Sequence, residues 1–209
     1  MRDFHLPGRS SVLAANGMCA TSHPLAAQAA LDILKNGGNA MDAAIAGAVL
    51  LGICEPQMTG IGGDCFVLFS PAGSNEVKSM NGSGTAPSLA NARELRDLGL
   101  KSIPLNSPHA VTIPCAIDAF CQLSNDWGNL GLDRILQPAI HYAEHGVPIA
   151  ERVAYDLGEL TETLNPSGRE FYLPWGRAPK VGELFAHHGQ VKVLKEIAKH
   201  GRDGFYTGE

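Results

Sequence analysis

The 209-residue sequence predicts an α+β fold, or a layered α/β one, in which helices cover a few apolar strands. Three observations lead there. Most of the chain carries helical punctuation, with Pro or Asn at the starts and Gly at the ends. One stretch, between Cys65 and Asn81, holds two short strand-like runs separated by a turn. The segment AMDAAIAGAVLLG from Ala40 is apolar on every side and built of small residues, the pattern of a fully buried helix closely approached by its neighbours.

The elements follow in order. Pro24 suits the first turn of a helix, where its missing N–H is not needed. That helix runs through Leu25, Ala29 and Ile33 and closes at Gly37-Gly38. Asn39 can cap the next one, with Asp42 three residues on near the positive end of the helix dipole. Glu55-Pro56 ends it, and the loop QMTGIGGD leads into CFVLFS, the turn PAGSN and VKSMN, which together read as a hairpin. After Pro87, SLANARELRDLG is helical again and stops at Gly99. Pro104 and Pro108 mark an irregular stretch. Pro114 opens a helix reaching about Asn125, and LDRILQPAIHYAEHG forms another, disturbed by Pro138. Ala150 to Leu160 reads as helix and Asn165 to Gly182 as a Pro/Gly-rich loop. QVKVLKEIAKHG is a last amphipathic helix closed by Gly201. No repeat, low-complexity tract or linker divides the chain, so residues 1–209 read as one domain.

Composition narrows the function. The net charge of −5 and the lack of a long basic run disfavour a nucleic-acid partner. The N-terminal MRDFHLPGRSSVLAANGM has no apolar core of signal-peptide length. The longest apolar run, Ala43 to Cys54, is too short and too rich in small residues to span a bilayer, so no membrane role is expected. Five cysteines without CxxC spacing read as reduced, buried thiols. A soluble, cytoplasmic protein is the expectation, with a periplasmic or secreted one as the alternative if a leader was removed.

Several motifs invite a chemical reading. His141-Tyr142-Ala143-Glu144-His145 matches the inverted zinc-protease pattern, but Pro138 disturbs the turn before it and no distinctive third ligand follows; a solvated helix face is the stronger reading and no metal site is expected. Gly60-Ile61-Gly62-Gly63 lacks the Lys-Ser/Thr ending of a phosphate loop and precedes a strand, so it reads as a tight loop that lets backbone approach a neighbour or substrate. Cys65 opens an apolar run and reads as packing. Thr21-Ser22-His23 precedes Pro24 and reads as a helix start. The polar strand exit Asn81-Gly82-Ser83-Gly84-Thr85 is either a simple turn or a place to hold a substrate through backbone and hydroxyl contacts.

The run HPLAAQAALDILKNGGNAMDAAIAGAVLLGICEPQMTGIGGDCFVLF, followed in order by NGSGTAP, AVTIPCAIDAF, LQPAIHYAEHGVPIAERVA and IAKHGRDGFYTGE, resembles the N-terminal part of the large subunit of the gamma-glutamyltransferase family. The resemblance implies an N-terminal nucleophile hydrolase with an αββα sandwich, of which this chain supplies a helix-rich part with a β-hairpin. It implies a self-cleaving precursor whose newly exposed threonine attacks a gamma-glutamyl amide such as glutathione, with its own α-amine as base and backbone N–H groups at the oxyanion. The acyl group then passes to water or to an amine. No cofactor is implied. The threonine would lie beyond Glu209, so this chain holds no catalytic residue, is inactive alone, and has the remainder of the precursor as partner. Its exposed strand edges should make the isolated chain self-associate or be poorly stable.

The same resemblance places Ser83 at the substrate, beside Asn81 of the strand exit already read as a place to hold one. Family members carry an arginine before the Ala-Pro that binds the glutamyl α-carboxylate. Counted back from Ala86-Pro87, that position is Ser83, which supplies no charge. An acylase acting on glutaryl- or cephalosporin-type amides, or a non-catalytic truncated relative, is the alternative. Cys115 stands where a glycine is usual, a change expected to affect only local packing.

Overall fold

The computed structural model describes residues 11–104 and 107–208; the first ten residues of the segment read above for a leader lie outside them. Helix α1, Pro24–Lys35, starts on Pro24 with His23 as its cap, whose Nδ1 accepts from the Leu25 N–H at 3.3 Å. The Thr21-Ser22-His23 stretch is therefore a helix start. Gly37, at φ 93°, turns the chain toward α2, Ala40–Cys54.

Asn39 caps α2, its side chain accepting from the Met41 and Asp42 N–H groups at 2.9 and 3.1 Å. Asp42 reaches back to the Asn39 N–H at 2.9 Å, completing a capping box. The Asp42 carboxylate is 0% exposed and also accepts from the Asn129 and Leu130 N–H groups at 3.0 and 3.3 Å, so it ties α2 to the turn after a later helix. Apolar on every face, α2 sits at the centre of the molecule. It touches α1 and three later helices: α4, Ala116–Trp127; α5, Leu132–Ile135; and α6, Gln137–His145. Ile45, Val49, Leu50 and Ile53 of α2 meet Ile33, Ile117, Leu123, Ile135 and Ile140 in the main core.

Strands β1, Cys65–Phe69, and β2, Lys78–Gly82, form the expected hairpin, antiparallel with Cys65 opposite Gly82 and Phe69 opposite Lys78. Cys65 is buried and Val67 and Met80 half-buried on the face that packs on α4. The other face presents Phe66 and Leu68, 69% and 77% exposed. Period-2 alternation thus leaves one apolar side of the hairpin uncovered.

Four elements differ from the sequence expectation. The helix expected from Ser88 is only α3, Ala92–Asp97, because Asn91 caps it by accepting from the Arg93 N–H at 3.0 Å. LDRILQPAIHYAEHG is two helices, α5 and α6, meeting at Leu136, where the following Gln137-Pro138 starts a new first turn. The presumed loop from Asn165 contains α8, Pro166–Tyr172, which follows α7, Glu151–Leu160. Pro166 opens α8 and Asn165 caps it by accepting from the Gly168 N–H at 2.7 Å, so the Pro/Gly content marks a start rather than a loop. Finally, β3, Val147–Pro148, pairs with β4, Leu184–Phe185, around a small second core of Ile149, Val153, Leu157 and Phe185. The chain then forms α9, His188–His200, and α10, Asp203–Tyr206. Among the described residues no helix is long and apolar enough to cross a membrane.

Candidate functional site

Three segments far apart in sequence lock together beside the hairpin. The chain leaves β2 through Asn81, whose side-chain oxygen accepts from the Ser83 N–H at 3.0 Å and curls the strand exit into a tight turn. The Gly84 N–H donates to the Asp64 carboxylate at 3.1 Å, joining this turn to the glycine loop ahead of β1. The segment Val111–Ala116 then straps both. Ile113 N–H donates to the Thr85 carbonyl at 3.0 Å, while the Cys115 and Ala116 N–H groups donate to the Gly63 carbonyl at 3.1 and 3.0 Å.

Close approach explains two glycines here. A Cβ on Gly82 would lie 2.6 Å from the Ala119 Cβ and 2.9 Å from the Cys65 carbonyl oxygen. A Cβ on Gly84 would lie 1.7 Å from the Ile113 carbonyl oxygen, an impossible overlap. Ser83 sits between these two contacts, half-buried and held from both sides, with Asn81 exposed next to it. The structure therefore brings Asn81 and Ser83 together on one rigid turn. It borders a cleft of about 510 Å³ on the open face of the hairpin, lined by Phe66, Leu68, Ser79 and Asn81. A second cleft, of about 360 Å³, lies between α2 and β1, where Ala44 and Ala48 face Thr59, Asp64 and Phe66.

The electrostatics favour recognition over nucleophilic chemistry. No Lys or Arg lies between Ser79 and Pro87. Lys78, at the far end of β2, lies over the Trp127 ring, 5.4 Å from its centroid. Cys65 is buried, and burial pushes its thiol up; the same cause, with nearby Glu55, lifts Cys54 to about 12, and burial with Asp118 lifts Cys121 to about 11. Thiols so held stay protonated and packed. His141 and His145 stack with ring centroids 4.5 Å apart, and the His145 Nδ1–H donates to the His141 carbonyl at 2.9 Å. Glu144 pairs with Lys195 at 3.0 Å, which holds its carboxyl below the usual range. Among the described residues no three His, Cys, Asp or Glu side chains converge as a metal would require.

The strap at Val111–Ala116 and the Asp64 anchor escaped the sequence reading. The paired glycines around Ser83 were the available signal, since they mark a strand exit that another backbone must approach.

The chain is a helix-rich α+β unit with a hairpin, and the solved structures that share this arrangement are N-terminal nucleophile hydrolases of the gamma-glutamyltranspeptidase and acylase kind. The sequence matches the family described as Gamma-glutamyltranspeptidase over residues 26–209, and the chain belongs to that family. It is 32% identical over 199 residues to the glutathione hydrolase proenzyme of Bacillus subtilis, an alignment covering 93% of this chain and 34% of that protein. It is 33% identical over 207 residues to the oxamate amidohydrolase proenzyme of Klebsiella pneumoniae, covering 95% of this chain and 39% of that one. The cephalosporin acylase structure from Bacillus halodurans superposes with a TM-score of 0.90 at 39% identity, over 99% of this chain and 40% of that one. The Helicobacter pylori gamma-glutamyltranspeptidase gives 0.87 at 28% identity, over 94% and 58%. The chain thus spans between a third and two fifths of the length of the curated relatives named here.

Proposed function

We propose that residues 1–209 form the N-terminal part of the large subunit of a self-processing amide hydrolase or acyltransferase, whose completed form cleaves gamma-glutamyl amides. The match to the family over residues 26–209 supports this reading, and within it the turn Asn81–Thr85, fixed by Asp64, Ile113 and the two close-packed glycines, is our candidate for the part that reads the acyl group. The Ser83 hydroxyl offers a hydrogen bond to an acyl chain, and the open side of the hairpin, with Phe66 and Leu68, offers the walls of a pocket. The nucleophilic threonine comes from the remainder of the precursor, and its hydroxyl attacks the amide carbonyl with its own amine as base. Acyl transfer to water or to an amine completes the cycle without metal or organic cofactor. Cytoplasm is the proposed compartment.

Ser83 favours a second reading within the same chemistry. A bidentate guanidinium on the acyl carboxylate would be shorter and stronger than any neutral contact. Serine provides only a neutral hydroxyl, which weakens the hold on the carboxylate that gamma-glutamyl and glutaryl groups share and so relaxes the demand for a complete α-amino acid head. The test uses the precursor containing this chain. Incubation should produce two subunits, the smaller beginning with threonine by N-terminal sequencing, and the matured protein should hydrolyse gamma-glutamyl- or glutaryl-p-nitroanilide. A precursor that never cleaves and hydrolyses neither would refute the proposal.

A further inference from the structure

We infer that Tyr206 is a positioning residue for the acyl-recognition turn, acting from the end of the chain through the Val111–Ala116 strap. Its hydroxyl makes two hydrogen bonds at the base of that strap. It donates to the Pro114 carbonyl at 2.7 Å and accepts from the Asp118 N–H, in the first turn of α4, at 3.2 Å. A second side chain holds the ring in place. The Arg202 guanidinium stacks over it, 4.7 Å from the centroid, and pairs with the Asp118 carboxylate.

The mounting is rigid at both ends. Gly204 of α10 lies so close to α9 that a Cβ there would stand 2.3 Å from the Glu196 carbonyl oxygen. α9 in turn buries Leu194 and Ile197 in the main core. On the other side of Pro114, Ile113 donates to Thr85 and presses its carbonyl against Gly84, next to Ser83. Cys115 and Ala116 hold the carbonyl of Gly63. One phenol therefore sets the height of a strap that touches both loops of the site, although among the described residues its own hydrogen bonds reach only Pro114 and Asp118. Removing the hydroxyl leaves the Pro114 carbonyl and the Asp118 N–H without their partner and frees the strap to move. Such movement alters the shape of the ground-state pocket and should appear in KM.

This inference rests on the proposed acyl-recognition role of the turn, and the experiment separates the two. Tyr206→Phe, Ser83→Ala and Val153→Ala are made in the matured, full-length enzyme and assayed with whichever p-nitroanilide it hydrolyses. Val153 belongs to the second core and touches neither loop, so it controls for general destabilisation. Tyr206→Phe should raise KM about fivefold, a fraction of what its two lost hydrogen bonds are worth, with kcat changed less than about twofold. Arg202→Gln, which keeps the phenol but loses its brace, should raise KM about twofold and serves if Tyr206→Phe does not fold. Val153→Ala should lower the melting temperature and leave KM unchanged. If Ser83→Ala raises KM and both Tyr206→Phe and Arg202→Gln behave like Val153→Ala, Tyr206 is only structural and the inference is overturned. If Ser83→Ala and Tyr206→Phe both leave KM unchanged, the acyl reading of the turn has failed and the inference falls with it.

Discussion

Asp42→Ala is the perturbation whose effect follows most directly from the structure. The carboxylate is wholly buried and accepts from three backbone N–H groups: Asn39 at 2.9 Å, Asn129 at 3.0 Å and Leu130 at 3.3 Å. Alanine removes every acceptor and leaves these donors without water to replace them. A hydrogen bond to a charged group is worth about 1.5–3 kcal/mol. Two good bonds, one of them the lost half of the capping box, and one long one therefore sum to about 5 kcal/mol. Relief of the buried charge offsets part of that, leaving a net loss of about 4 kcal/mol. That is a large share of the roughly 5–15 kcal/mol that stabilises a domain. Asp42→Asn keeps one carbonyl oxygen and should cost about 2 kcal/mol. The assay is urea unfolding followed by circular dichroism, repeated at several protein concentrations to hold association fixed, with the slope unchanged between variants. An Asp42→Ala variant within about 1 kcal/mol of wild type would refute the reasoning, as would an Asn variant as damaging as the Ala one.

Two further outcomes are expected. Gly84→Ala should cost about 3 kcal/mol in the same assay, at the upper end of overpacking, since its Cβ would meet the Ile113 backbone; a neutral result would show that the strap is loose. His187 is 0% exposed, against Phe185 and Phe171, and among the described residues neither ring nitrogen makes a hydrogen bond of good geometry, the nearby Ile53 carbonyl included. Burial lowers its pKa to about 4, opposed by the Ile53 carbonyl and reinforced by His188. The unfolded chain therefore binds this proton more readily than the folded one. Stability should be fully present above the unfolded value of 6.5 and fall as the pH drops through about 4. By pH 4 the loss from this residue should reach about 3 kcal/mol relative to His187→Leu. Parallel pH profiles for the two proteins would show that His187 is already solvated.

Local chemistry made much of the fold legible. Pro24, Asn39 and Gly201 mark helix boundaries that the structure reproduces to within a residue or two, because caps act over one turn. The apolar, small-residue α2 was readable as central for the same reason. Readings failed where one residue type serves two purposes. Asn165-Pro166 looked like loop chemistry and is a capped helix start, and the two-residue strands β3 and β4 are too short to show alternation. Asn81 and Ser83 were legible as a candidate site from the polar, glycine-rich strand exit, and the family's motif order singled out Ser83. The parts that hold them, Asp64, Ile113 and Tyr206, lie about 20 to 120 residues away and have no local signature, since each meets a backbone group of a segment distant in sequence.

The central claim is that Ser83 occupies the acyl-reading position of the completed enzyme. The most direct measurement is kcat/KM of the matured precursor on gamma-glutamyl- and glutaryl-p-nitroanilide, for wild type, Ser83→Ala and Ser83→Arg. Restoring the guanidinium should raise the efficiency on the gamma-glutamyl substrate by about tenfold or more, the worth of one charge-assisted pair. Most of that gain should appear as a lower KM, and Ser83→Ala should weaken whichever substrate the wild type prefers. If neither substitution changes the efficiency or the preference between the two anilides, the turn at Asn81–Thr85 does not read the acyl group, and the account is wrong.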